Sequence, residues 1–137
     1  LPQHAGWLPR WQLLVSSLAV FNTVQNLVTL SLTKRVYNGA PHQVTPLQSR
    51  TFAVWTFTAA IVRLYCAYHI TEKTQVPFNV FIYDITIWSY IIALAHFGSE
   101  LIFYRTTNLT GPVISPFIVA TTSLTWMLSQ YTFYVKE

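Results

Sequence analysis

The sequence predicts an all-α polytopic membrane protein, a bundle of four transmembrane helices, and three observations carry that expectation. Hydrophobic residues make up 53% of the 137 residues and charged ones only 9%, where a soluble domain carries about 25% charged. Between Lys73 and Arg105 the only charged or imidazole side chains are Asp84, His96 and Glu100. Bilayer hydrocarbon is about 30 Å thick and a helix rises about 1.5 Å per residue, so about twenty apolar residues make a crossing and this segment exceeds that. Stretches such as 85–95 and 113–120 offer almost no polar side chains, whereas each helix of a soluble bundle keeps a polar stripe for water.

Charges and prolines separate four apolar segments, expected as crossings over residues 11–33, 51–70, 78–104 and 112–134 of a single membrane domain, 1–137. The first opens after Pro9 and Arg10 and closes at Lys34-Arg35; it is too long for the apolar core of a secretory signal and ends without a small-residue cleavage pattern. The second is announced by Arg50 and ended by the polar run Thr71 to Gln75. The third starts after Pro77 and is long enough to tilt or to reach the headgroups. The fourth has Pro112 suited to a helix start, with Pro116 about one turn in. Trp7, Trp11, Tyr37, Tyr104, Tyr131 and Tyr134 stand near predicted ends, where amphipathic rings favour the interface. Residues 34–50, with Asn38-Gly39, Pro41 and Pro46, read as an ordered surface loop. The chain does not open on Met, so its true N-terminus is expected upstream.

The formal net charge is +4, but the basic residues stand singly or in one pair, which argues against nucleic-acid binding. Sorting them by side of the membrane gives Arg10, Lys73 and Lys136 against Lys34, Arg35, Arg50 and Arg105. This leans toward cytosolic first and third connections. Asn108-Leu109-Thr110 fits the glycosylation pattern but falls in a tight turn, where chance is the simpler reading. The lone Cys66 lies in an apolar run and reads as a small buried hydrophobe. Gly6, Gly39, Gly98 and Gly111 are too scattered for a nucleotide or phosphate loop, and His4, His42, His69 and His96 lack metal-ligand spacing. No cofactor, metal or catalytic constellation is expected.

The polar residues inside the segments are the candidate sites. A central Arg or Asp in hydrocarbon costs about 2.5–3.5 kcal/mol unless paired or wetted. A hairpin turning near residues 73 and 74 would set Arg63 and Asp84 at equal depth, as an ion pair, although each could instead snorkel to an interface separately. His96 and Glu100, four apart, share a helical face. They read either as anchors to a neighbouring helix or partner, as an acid–base pair, or with Glu100 solvated at the interface. Thr121, Thr122, Ser123 and Thr125 are the hydroxyls expected at their depth. Asn22, Gln25 and Asn26 share a face of the first segment, and because an unbonded amide in lipid costs several kcal/mol, that stripe must meet another helix or a wet cavity.

At these residues the chain resembles the ergosterol biosynthetic protein 28 family. The matching blocks are Arg50-Thr51-Phe52-Ala53-Val54-Trp55-Thr56-Phe57, Ile61-Val62-Arg63, His96-Phe97-Gly98-Ser99-Glu100-Leu101 and Thr121-Thr122-Ser123-Leu124, in order over about Leu8 to Met127. The resemblance implies a non-catalytic endoplasmic-reticulum protein of fungal type. It would tether a sterol C-4 methyl oxidase, a 3β-hydroxysteroid dehydrogenase/decarboxylase and a 3-keto sterol reductase; sterol or phospholipid contact stays open. It supplies no catalytic residues, so Asn22, Gln25, Asn26, Arg50, Arg63, Asp84, His96 and Glu100 are expected as structural or partner-docking positions. The competing readings are a small membrane enzyme using His96 and Glu100, and an accessory subunit or lipid chaperone of a transporter.

Overall fold

A computed structural model describes residues 1–3, 6–70, 78–109 and 111–136, and among them there is helix and turn but no strand. The α-helices are α1 Leu8–Val28, α2 Ser31–Val36, α3 Pro46–His69, α4 Phe78–Ile102 and α5 Gly111–Ser129. A 3-10 turn spans Pro41–Gln43 and a terminal π-helical turn spans Thr132–Lys136. Lys73, which enters the comparison of the two membrane sides, and the polar run at 71–75 lie outside the described residues.

Local chemistry sets the boundaries, and they differ from the apolar runs. The first helix does not continue to Thr33: Thr29 is extended, at φ −144° and ψ 152°, and its Oγ1 accepts the Ser31 N–H at 3.2 Å, which starts α2 in a new direction. The stretch expected as a loop after residue 33 therefore includes the end of a short helix and a 3-10 turn. The second helix begins at Pro46, five residues before the apolar run, because Thr45 caps it by accepting the Gln48 N–H at 3.1 Å. Thr45-Pro46-Leu47-Gln48 is a capping-box spacing with proline at the first helical position. In α5, Pro116 is inside the helix and removes one i to i−4 bond there.

The four long helices pack as antiparallel neighbours in the order α1, α3, α4, α5. The α1–α3 seam is the most extensive and is made by small residues: Ser16 Oγ donates to the Ala60 carbonyl at 2.7 Å, Thr23 and Thr56 hydroxyls meet at 2.8 Å, and Ala53, Ala60 and Ala67 are buried. Small side chains let helix backbones approach closely, the usual basis of packing in lipid. Across α3 and α4, Phe52 meets Phe97 and Trp55 meets His96. Tyr83 on α4 donates to the Met127 carbonyl of α5 at 2.6 Å. α1 reaches α5 at the other end of the bundle, where Trp11 Nε1 donates to Ser123 Oγ at 2.8 Å and its ring lies tilted against Trp126, centroids 6.0 Å apart.

Buried polar groups stand within the apolar core, and the exterior is also rich in large apolar side chains. Gln12, Ser16, Thr23, Asn26, Ser49, Arg63, Thr86 and Ser123 are buried, while Phe21, Val54, Trp88 and Ile118 are more than half exposed on four different helices. Water would penalise that outer surface and hydrocarbon does not. By length and composition, Pro46–His69 and Asn79–Ile102 are each long and apolar enough to cross a membrane, and Val113–Ser129 is a shorter apolar helix.

Candidate functional site

One end of the bundle gathers most of the expected polar residues. There the end of α1, α2, the start of α3, the end of α4 and the α4–α5 turn meet. Asn26 is the centre of a buried knot: its Nδ2 donates to the Asn22 carbonyl at 2.8 Å, its Oδ1 accepts from Thr33 Oγ1, and its own carbonyl accepts from Ser49 Oγ at 2.7 Å. The Thr33 and Ser49 hydroxyls lie 2.9 Å apart. Helix contact is one expectation for this stripe, and the Asn26 amide oxygen meets Thr33 of α2 while its backbone carbonyl meets Ser49 of α3. Asn22 and Gln25 behave differently, being half-buried and lining a cavity.

His96 and Glu100 hold loops to helices. Tyr37, just past α2, shares a hydrogen bond of 2.7 Å with His96 Nε2, and the imidazole sits among the rings of Trp55, Phe97 and Tyr37 at 5.0, 5.1 and 6.0 Å. Burial raises the Tyr37 phenol far above its ordinary range and the nearby Glu100 carboxylate adds to this, so the phenol keeps its proton. Glu100 Oε2 accepts from Thr106 Oγ1, and the Glu100 carbonyl accepts the Thr106 N–H at 2.9 Å. The hydroxyls expected on the fourth segment are not the partners. Ser123 instead bonds Trp11, because the polar residues of α4 nearest the α4–α5 turn face the loop after α2.

The two loops are also joined to each other. The Gly39 N–H donates to the Thr106 carbonyl at 2.9 Å and the Asn108 N–H to Asn38 Oδ1 at 2.8 Å. A Cβ on Gly39 would stand 2.6 Å from the Arg105 carbonyl oxygen, so only glycine allows this approach. Tyr37, Val44, Gln48, His96, Glu100 and Thr106 surround a polar recess of about 270 Å³ at the junction. Arg50 is exposed nearby.

The expected Arg63–Asp84 pair does not form. Arg63 is buried, its Nε donates to Ser89 Oγ at 3.4 Å, and its guanidinium lies 4.3 Å above the Tyr90 ring. Asp84 Oδ1 accepts from Tyr131 at 2.8 Å. The partners of Arg63 are thus about one and a half turns further along α4 than a hairpin turning at 73 and 74 would place them. The pairing followed from an assumed turn centre, and the helices meet in another register. Tyr90 itself donates to Gln12 Oε1 at 2.6 Å.

A cavity of about 360 Å³ runs between α1, α3, α4 and α5, from Arg63 and Tyr90 at mid-bundle toward Phe52 and Phe97 at the joined-loop end, with Asn22 and Gln25 on its α1 side. Sequence reasoning missed Tyr37, Thr33, Ser49 and Thr106, the partners that complete these contacts. Their available signal was placement beside a helix end, where hydroxyls commonly cap. Among the described residues no group of three or more His, Cys, Asp or Glu could hold a metal ion.

A family model described as "Erg28 like protein" matches residues 8–125. The chain is 41% identical to "Ergosterol biosynthetic protein 28" of Saccharomyces cerevisiae over 94% of its own length and 83% of that protein's. It is 42% identical to the protein of that name from Candida albicans, over 97% and 91% of the two chains. Against the one from Schizosaccharomyces pombe it is 45% identical, over 88% and 83%. No solved structure matches.

Proposed function

The chain belongs to the Erg28 like protein family, and from that membership we propose that it is a non-catalytic scaffold of ergosterol biosynthesis, crossing the endoplasmic-reticulum membrane four times as one domain. In this reading it tethers a sterol C-4 methyl oxidase, a 3β-hydroxysteroid dehydrogenase/decarboxylase and a 3-keto sterol reductase. Tethering raises the effective concentration of consecutive enzymes and needs no chemistry of its own. The cargo is insoluble in water, so short transfer distances matter.

The observation that carries the reading is the joined pair of loops at one end of the bundle. His96 bonds Tyr37 and Glu100 bonds Thr106, so both side chains hold the two connections against the end of α4, a use that needs no acid–base chemistry. Arg50 stands exposed nearby. A joined pair of loops of this kind suits enzymes resting on the bilayer, while the apolar outer faces of α1, α3, α4 and α5 suit an oxidase within it.

The test is purification of the full chain from a membrane in which the three enzymes are co-expressed, with sterol turnover measured for the chain alone and for the assembly. The scaffold reading expects the oxidase, decarboxylase and reductase to co-purify and the isolated chain to turn over no sterol. Turnover by the isolated chain that His96→Ala abolishes would establish the small-enzyme reading instead.

A further inference from the structure

We propose that the cavity between α1, α3, α4 and α5 binds a sterol acid, its rigid apolar body among the helices and its carboxylate on Arg63. The choice of a sterol body rests on the proposed role in sterol synthesis; the choice of an acid rests on Arg63 alone.

Arg63 is 9% exposed and its guanidinium is held from two directions, by Ser89 and by the Tyr90 ring. Neither neighbour carries charge. The two described carboxylates are bonded elsewhere, Asp84 to Tyr131 and Glu100 to Thr106. A cation at the middle of a membrane bundle is costly without a counter-charge, and Arg63 lines the cavity. Its planar fork of donors suits a carboxylate, which can accept two parallel bonds from it.

The cavity walls suit a flat body. Trp55 and Phe97 contribute aromatic rings to the lining, and Ala59, Ala93 and Ala120 contribute short side chains. Its volume of about 360 Å³ is near the lower end of the usual range for a small-molecule site, about 300–1,000 Å³, which takes the fused rings of a sterol and leaves its tail in the mouth. Leu18 and Phe21 contribute to the lining yet are 51% and 61% exposed on the outer face of α1, so the mouth opens sideways, toward the lipid. A membrane-dissolved ligand would enter there without crossing water.

The experiment uses the full chain in detergent micelles and follows tryptophan fluorescence, to which Trp55 in the cavity wall contributes, together with thermal unfolding. The probes are cholesteryl hemisuccinate, cholesterol and oleate. The proposal expects cholesteryl hemisuccinate to bind about tenfold or more tighter than cholesterol or oleate, as one well-placed charged hydrogen bond allows. Arg63→Gln should erase the preference over cholesterol while leaving cholesterol binding, and Arg63→Lys should restore part of it. Ala59→Trp, which fills the cavity, should block both sterols. Equal binding of the acid and the neutral sterol, or a preference unchanged in Arg63→Gln, would overturn the acid assignment; oleate binding as tightly as the sterol acid would overturn the rigid body. Co-purification of the three enzymes reports on the scaffold separately, so either reading can fail alone.

Discussion

Asn26 closes three hydrogen bonds within one buried knot, using its amide nitrogen, its amide oxygen and its backbone carbonyl. Replacing it by leucine keeps the backbone bond but removes the amide acceptor of Thr33 Oγ1, which retains only the Ser49 hydroxyl, and a lost buried hydrogen bond costs about 0.5–1.5 kcal/mol. Asn26→Leu is therefore expected to lower the thermal midpoint in micelles, while Arg50→Ala, at an exposed position, leaves it unchanged. Tyr37→Phe removes the phenol that meets His96 and should cost about 0.5–1.5 kcal/mol in the same measurement. Much at this scale was legible in the chain. The spacing of Asn22, Gln25 and Asn26 announced a stripe needing partners, and hydrocarbon's intolerance of free amides made the need certain. The identity of the partners was not legible, since Thr33, Tyr37 and Thr106 belong to short connecting pieces whose direction is set by tertiary packing, and Ser49 lies on α3 before its apolar run begins. Arg63 and Asp84 failed to pair for a related reason: depth matching depends on where a hairpin turns, and residues 71–77 carry no periodic signal for it.

Helix ends followed capping chemistry more closely than hydropathy. α3 starts at Pro46 because Thr45 accepts the Gln48 N–H, a pattern visible in the sequence yet hidden by the habit of starting a span at its first apolar residue. Thr45→Ala should destabilise the fold by about 1 kcal/mol, seen as a lower unfolding midpoint with faster amide exchange confined to the first turn of α3. The break at Thr29 was harder to see, since no Gly or Pro marks it, and it arises from the Thr29 hydroxyl starting α2. Gly39 belongs to this scale as well, because its backbone docks one connection on another. Gly39→Val would drive a side chain into the Arg105 carbonyl region and should separate the two connections. Limited proteolysis near residues 38–44 would then accelerate, with the helical content by circular dichroism retained.

At the scale of the whole molecule, polar side chains such as Gln12, Asn26 and Arg63 are buried beside an apolar core, while large apolar side chains such as Phe21, Val54 and Trp88 face outward, an arrangement that suits a lipid surround. The all-helical class was readable from composition and run length alone. The order of packing was not, nor was the cavity, because both depend on which faces meet. If the four long helices cross the bilayer, the loop end holding Asn38 and Asn108 lies on one side of the membrane and the chain's beginning near Gln3 on the other. The most direct measurement is labelling of single cysteines placed at Gln3, Asn38 and Asn108, in a Cys66→Ser background, with a membrane-impermeant maleimide on sealed vesicles. The account predicts that the cysteines at 38 and 108 react together from one face and the one at 3 only from the opposite face. Reaction of all three from the same face would contradict it.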